Sequence, residues 1–369
     1  MIKQKHILMM LSILIVVTLL IAGCQPAAET TAPEPEAPKA EEPAEEPAEP
    51  EEPAEEPAEE PAEEPAAEGV SLETFDLNPD ILARIEAGET PVIRVSYHDV
   101  SNEFAPLLRS GVEKAAEELG VDAEFVGPVG ADAEAQIAEI ESLIEVGVDG
   151  LAISSVSTDA LAPMIDRAID MGIPVVTFNT DNPDSKRLAF AGQDLVTSGY
   201  AAAQELAERI DGKGKVLILT LDAAAQWSID RETGARDGLA EYPDIEVLST
   251  INTGTEPQEI YSAVENALLA NPETTAILSL ECCSHPVAGE VLVREGLTDQ
   301  ITMVGFDELP QTLEFIKDGV TAASVTQAPD VQGFKAVELL VLFLGGETIY
   351  DIDTGIGVID LSNVDDFLQ

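Results

Sequence analysis

The sequence predicts an α/β fold whose parallel sheets are covered by helices on both faces, and three observations carry that expectation. Short β-branched runs alternate with amphipathic stretches, the alternation is repeated along most of the chain, and roughly 300 residues carry it. That length is enough for two domains, each with a core of its own. The first strand reads Val92-Ile93-Arg94-Val95-Ser96, and residues 104–119 follow with apolar positions at helical spacing. Residues 135–146 form a second such helix ahead of the strand Gly150-Leu151-Ala152-Ile153-Ser154. A third, residues 161–171, leads into Pro174-Val175-Val176-Thr177-Phe178. Lys215-Val216-Leu217-Ile218-Leu219 opens a further series, with strands near 275–280, 301–306 and 321–326. In open sheets of this kind, ligands bind beyond the carboxyl ends of the strands, so the residues just after each strand are the ones to read for function.

The N-terminal part has a different character. A short basic start (Lys3, Lys5) precedes an apolar stretch that ends in Ala22-Gly23-Cys24. The stretch is shorter than the roughly 20 residues a membrane-spanning helix needs, and it ends in the small residues of a cleavage site, which reads as an export signal. Leu20-Ile21-Ala22-Gly23-Cys24 resembles the lipobox of bacterial lipoproteins. That resemblance implies removal of residues 1–23, acylation of Cys24, and a protein held by lipid at the cell membrane outside the cytoplasm. Residues 24–69 then run in a Glu/Pro/Ala repeat holding 17 Glu and one Lys. Such a segment cannot bury enough surface to offset the entropy of ordering it, and serves as an extended tether for the folded residues 70–369.

The formal net charge is −53, far more than the tether supplies, so the body is itself acidic. A field of that sign disfavours nucleic acid and anionic membrane surfaces as partners and favours solubility. No nucleophile elbow, phosphate-binding glycine loop or zinc-ligand spacing occurs, and the chain has only three histidines. The expectation is therefore a monomeric binding protein rather than an enzyme, without cofactor or metal. A redox centre of Cys282, Cys283 and His285 is the residual catalytic reading.

Residues at the strand ends carry a family resemblance from about Pro91 onward. Val304-Gly305-Phe306-Asp307, then Val325-Thr326-Gln327-Ala328-Pro329-Asp330 with Gly333, resembles the paired signature of type I periplasmic sugar-binding proteins of the ribose-binding kind. Ser101-Asn102-Glu103-Phe104, Gly192-Gln193-Asp194 with Gly199, and Arg231-Glu232-Thr233-Gly234, read as opening a helix, follow the same order. The resemblance implies two Rossmann-like lobes joined by a three-segment hinge. One lobe is expected at about 88–192 and 328–355, the other at about 193–327 and 356–369. It further implies a sugar or polyol caught between the lobes as they close, and an ABC permease to receive it. A sensor that presents its loaded form to a receptor kinase or chemoreceptor is the second non-enzymatic reading.

A sugar needs side chains with several hydrogen bonds each and flat apolar surfaces for its ring. Arg231 offers a fork of donors and Asp307 accepts from two hydroxyls at once; a surface arginine and a helix N-cap are their plainer readings. Asn102 and Gln327 match amide contacts of the family, against a turn amide and an ordinary hinge residue. Phe104 matches a ring-stacking position, or is simply core. Where the ribose-type pattern has an Asp-Arg pair after Phe178, this chain has Asn179-Thr180, and Ala105 and Asn252-Thr253-Gly254-Thr255 replace expected aromatics. Trp227 stands where it can restore a stacking surface, or packs in a core. His98 ends the first strand at the same rim, where a hydrogen-bonded residue is the plainer reading than a metal ligand. The adjacent Cys282 and Cys283 occupy a place where the family brings an Asn-Asp pair to the cleft. A vicinal disulfide forming an apolar plate is expected there, with two free thiols or a metal or redox pair as alternatives.

Overall fold

The computed structural model describes residues 69–368. The export segment, Cys24 and most of the tether lie outside the described residues. After a short helix α1 (Pro79–Glu86), the first lobe alternates β1 (Val92–Ser96), α2 (Ala105–Leu119), β2 (Asp122–Val126), α3 (Ala133–Val146), β3 (Gly150–Ile153), α4 (Thr158–Asp170), β4 (Val175–Phe178) and β5 (Phe190–Gly192). The chain then crosses to a second lobe of α5 (Leu195–Arg209), β6 (Lys213–Thr220), α6 (Gln226–Ala240), β7 (Asp244–Asn252), α7 (Pro257–Ala270), β8 (Ala276–Ser279), α8 (Ser284–Glu295), β9 (Thr302–Phe306), α9 (Pro310–Lys317) and β10 (Ala323–Thr326). It returns to the first lobe for α10 (Pro329–Leu344) and β11 (Ile352–Asp353), and crosses a third time to β12 (Gly357–Asp360).

The two six-stranded sheets have matching strand orders, β2-β1-β3-β4-β5-β11 and β7-β6-β8-β9-β10-β12. Every pairing is parallel except that of β10 with β12. The inner strands β3, β4 and β8 are buried at every position, as apolar runs covered by helices on both faces must be. In each lobe the order reverses beside the strand that begins it, β1 or β6, and that switch point opens a crevice at the carboxyl ends.

Helix starts follow local chemistry where caps exist. Asp132, Ser157 and Asp194 accept first-turn backbone N–H groups at α3, α4 and α5. The start of α6 differs from the expectation that Arg231 opens that helix. It begins at Gln226, and Ala225 at its N-cap gives no side-chain signal. Its buried face consists of Trp227, Ser228, Arg231, Gly234, Ala235, Gly238 and Leu239, a stripe at helical spacing but mostly not of apolar residues.

Glycines let one pair of helices in each lobe approach backbone to backbone. A Cβ added at Gly111 on α2 would stand 1.9 Å from the carbonyl oxygen of Asp330 on α10. One at Gly234 on α6 would stand 1.8 Å from that of Val196 on α5. The second of these crossings fixes α6, and with it Trp227 and Arg231, against the rest of the second lobe.

Candidate functional site

The carboxyl ends of the two sheets face each other across a cavity of about 610 Å³. All ten residues singled out for ligand contact lie on its wall: His98, Asn102, Phe104, Asn179, Trp227, Arg231, Cys282, Cys283, Asp307 and Gln327. Their surroundings differ in what they leave free for a ligand.

Arg231 is 3% exposed, with its guanidinium carbon 4.2 Å from the centroid of the Phe306 ring. Its Nη1 donates to Leu280 O at 2.9 Å, while Nε is buried without a partner. Asp307 follows β9 in a left-handed conformation (φ 70°), so it turns out of the strand direction instead of capping α9. Burial raises the pKa of its carboxyl, against the pull of Arg231 and Gln327. Gln327 Nε2 donates to Asp307 Oδ1 at 2.8 Å, and its Oε1 accepts from Gln332 at 3.3 Å and from Asn179 at 3.5 Å. Asn179, also left-handed (φ 58°), accepts from Ser154 Oγ at 3.1 Å. These amides therefore form one relay that starts just after β4, passes the crossing after β10 and ends on the Asp307 carboxylate.

On the opposite wall, the His98 imidazole lies between Tyr97 and Trp227, with centroids 4.1 Å from each, and is stacked on the indole at 13°. Because His98 follows β1 and Trp227 belongs to α6, this stack spans the cleft. Thr158 Oγ1 donates across it as well, to Gln226 Oε1 at 3.1 Å. Trp227 thus gives one face to His98 rather than keeping it for a ligand. Burial lowers the His98 pKa to about 3, so the ring is neutral, and its Nδ1 lies 3.0 Å from Ser154 Oγ. Asn102 spends its oxygen on the backbone N–H groups of Phe104 and Ala105, the turn-amide role, and its Nδ2 donates to Tyr97 Oη at 3.3 Å. Phe104 is 3% exposed and packs into the first lobe's core with Tyr97 and Leu108 while touching the cavity.

The sulfur pair stands on the cavity wall, where it was expected. Cys282 and Cys283 are free thiols with their sulfurs 2.8 Å apart. His285 is turned away from them: it is fully buried in the second lobe, with Nδ1 3.3 Å from Phe306 O and Nε2 2.8 Å from Thr321 Oγ1. The residual reading of a redox centre using His285 is thereby excluded.

One wall residue was not anticipated. Glu281 is 3% exposed and accepts from Ser228 Oγ (2.6 Å), Thr220 Oγ1 (3.0 Å) and Leu221 N (3.2 Å). A carboxylate just beyond a fully buried strand was the available signal. Burial pushes its pKa up to about 7. Between about pH 4.5 and 7 the folded state holds a proton that the unfolded chain has released, so stability falls as pH rises through that window. Relative to Glu281→Gln, the native protein is expected to lose roughly 2 to 3 kcal/mol between pH 5 and pH 8. Urea unfolding of both proteins at the two pH values checks this, and a difference independent of pH would refute it.

A family model described as a periplasmic binding protein domain matches residues 93–348. The xylose/arabinose-binding protein XylF of Sulfolobus acidocaldarius is 25% identical over 289 residues, 73% of this chain and 71% of that protein. The ribose import binding protein RbsB of Bacillus subtilis is 27% identical over 257 residues, 70% of this chain and 83% of that one. A solute-binding protein of an ABC transporter from Burkholderia graminis, solved in complex with D-arabinose, is 30% identical with a TM-score of 0.71, covering 74% of this chain and 96% of that one. Most of both lobes, two of the three crossings and the cavity between the strand ends fall within the matched span, and the chain belongs to the periplasmic binding protein domain family.

Proposed function

We propose that this protein captures a free sugar or related polyol, with pentoses the first candidates, and delivers it to the permease of an ABC importer. The observation that carries the reading is Arg231, buried at the cavity with an unpartnered Nε and near the Asp307 carboxylate. A fixed donor fork and a carboxylate side by side suit a ligand rich in neighbouring hydroxyls, which both donate and accept. Relatives named for ribose, xylose and arabinose, and the arabinose complex, support the same class. Solute selects the closed arrangement because only there do both lobes touch it, the lobes turning about the three crossings. Export, cleavage before Cys24 and acylation of that residue hold the protein outside the cytoplasm, with the acidic repeat as spacer and one chain as the working unit.

A thermal-shift screen of the full chain against pentoses, hexoses, polyols, nucleosides and amino acids tests the proposal. At a hundredfold excess over Kd, the true solute is expected to raise Tm by roughly 5 °C. A shift given only by amino acids or nucleosides, or by none of the set with folded protein free of carried-over ligand, would overturn the sugar reading.

A further inference from the structure

Cys282 and Cys283 lie in the turn between β8 and α8. In an extended strand, neighbouring side chains point to opposite faces. Here Cys283 has left that geometry (φ −87°, ψ −25°), and the two sulfurs approach to 2.8 Å. The turn is braced on both sides, by the three hydrogen bonds to Glu281 and by the Ser279 and Ser284 hydroxyls 2.7 Å apart. Cys282 is buried and packs across the cleft with Tyr97 and Phe104 of the first lobe, while Cys283 is half-buried on the cavity wall.

We propose that these residues are a reversible dithiol/disulfide site in the wall of the cavity, oxidised by small organic disulfides. The Cys283 thiolate, the more accessible of the two, attacks one sulfur of the reagent and releases one thiolate. The Cys282 thiolate then attacks Cys283 Sγ and releases the second. The protein loses two electrons, the reagent is reduced to two thiols, and the two cysteine protons end on them. Closing the bond takes the sulfurs from 2.8 Å to ~2.05 Å, a short movement within one turn. Adjacent Cα atoms stand ~3.8 Å apart, less than the ~4.4 Å at which ordinary disulfide spans begin, so the ring is strained and easily reduced again. The bond itself follows from this geometry. Its consequence for capture, a rigid sulfur face replacing two thiols beside Tyr97 and Phe104, rests on the proposed function.

The test uses the full chain, equilibrated with oxidised glutathione, blocked with iodoacetamide and digested with trypsin without reduction. Both cysteines fall on one tryptic peptide, residues 237–294, separate from Cys24. The expected result is this peptide two hydrogens lighter and unalkylated, converted to the doubly alkylated form when dithiothreitol is added before blocking. A doubly alkylated peptide at every oxidant ratio, a retained glutathione adduct, or a link to Cys24 or to a second chain would each overturn the proposal. No sugar enters the experiment, so its failure is separate from failure of the solute screen.

Discussion

Arg231→Ala is expected to weaken binding of the solute found by thermal shift by about 3 kcal/mol, roughly a hundredfold in Kd. The guanidinium is the cation beside two buried carboxyls, Asp307 and Glu281, and it pulls the pKa of each downward against burial. Its removal takes away charge-assisted donors to the ligand and leaves both acids without a counter-charge. Arg231→Lys keeps the charge but not the planar fork, so it should recover only part of the loss. Calorimetric titration of the three proteins checks this, with circular dichroism confirming that each is folded. An unchanged Kd in Arg231→Ala would move the binding site away from α6.

Gly234→Ala is expected to destabilise the protein by about 3 kcal/mol, although it adds only one methyl group. The added carbon would stand 1.8 Å from Val196 O and 2.8 Å from Tyr200 N, both backbone atoms of α5, so no rotamer change can relieve the clash. The helices must separate, and dense packing spreads that shift through the lobe. Gly345→Ala, whose new carbon would meet nothing nearer than 3.3 Å, is the comparator and should lose less than about 1 kcal/mol. Urea midpoints of both variants decide it: equal losses would mean that the α5–α6 crossing yields more easily than its geometry implies.

The alternation of strands and helices was legible because it is local. A run such as Val175-Val176-Thr177-Phe178 announces a strand buried on both faces whatever surrounds it. The positions of Arg231, Asp307 and Gln327 on the cavity wall were legible through the order of motifs along the chain. What could not be read is partnership across the cleft. Nothing near Trp227 in sequence indicates that its indole meets His98, more than a hundred residues away. The start of α6 was hidden for a related reason. Its buried stripe contains glycines, a serine and an arginine because the helix packs backbone-close on α5 and faces the cavity, so the usual apolar period is missing. Glu281 reads as an ordinary acid until the three donors converging on it, from β6, the residue after it and α6, are seen together.

The three crossings also set an order of assembly during synthesis. The first lobe's sheet is nearly complete by Gly192, yet the helix that covers α2 and supplies Ala336, Val337, Leu340 and Phe343 to its core is encoded after all of the second lobe's sheet except β12. A nascent chain released up to residue 328 would present the bare α2 face, with Gly111 and Leu108 at its centre, to any apolar surface nearby. Neither lobe can mature as an independent vectorial unit. The growing polypeptide is therefore exposed to misassociation until α10, in about the last ninth of the chain, emerges, and it is suited to a route that keeps it unfolded until translation ends.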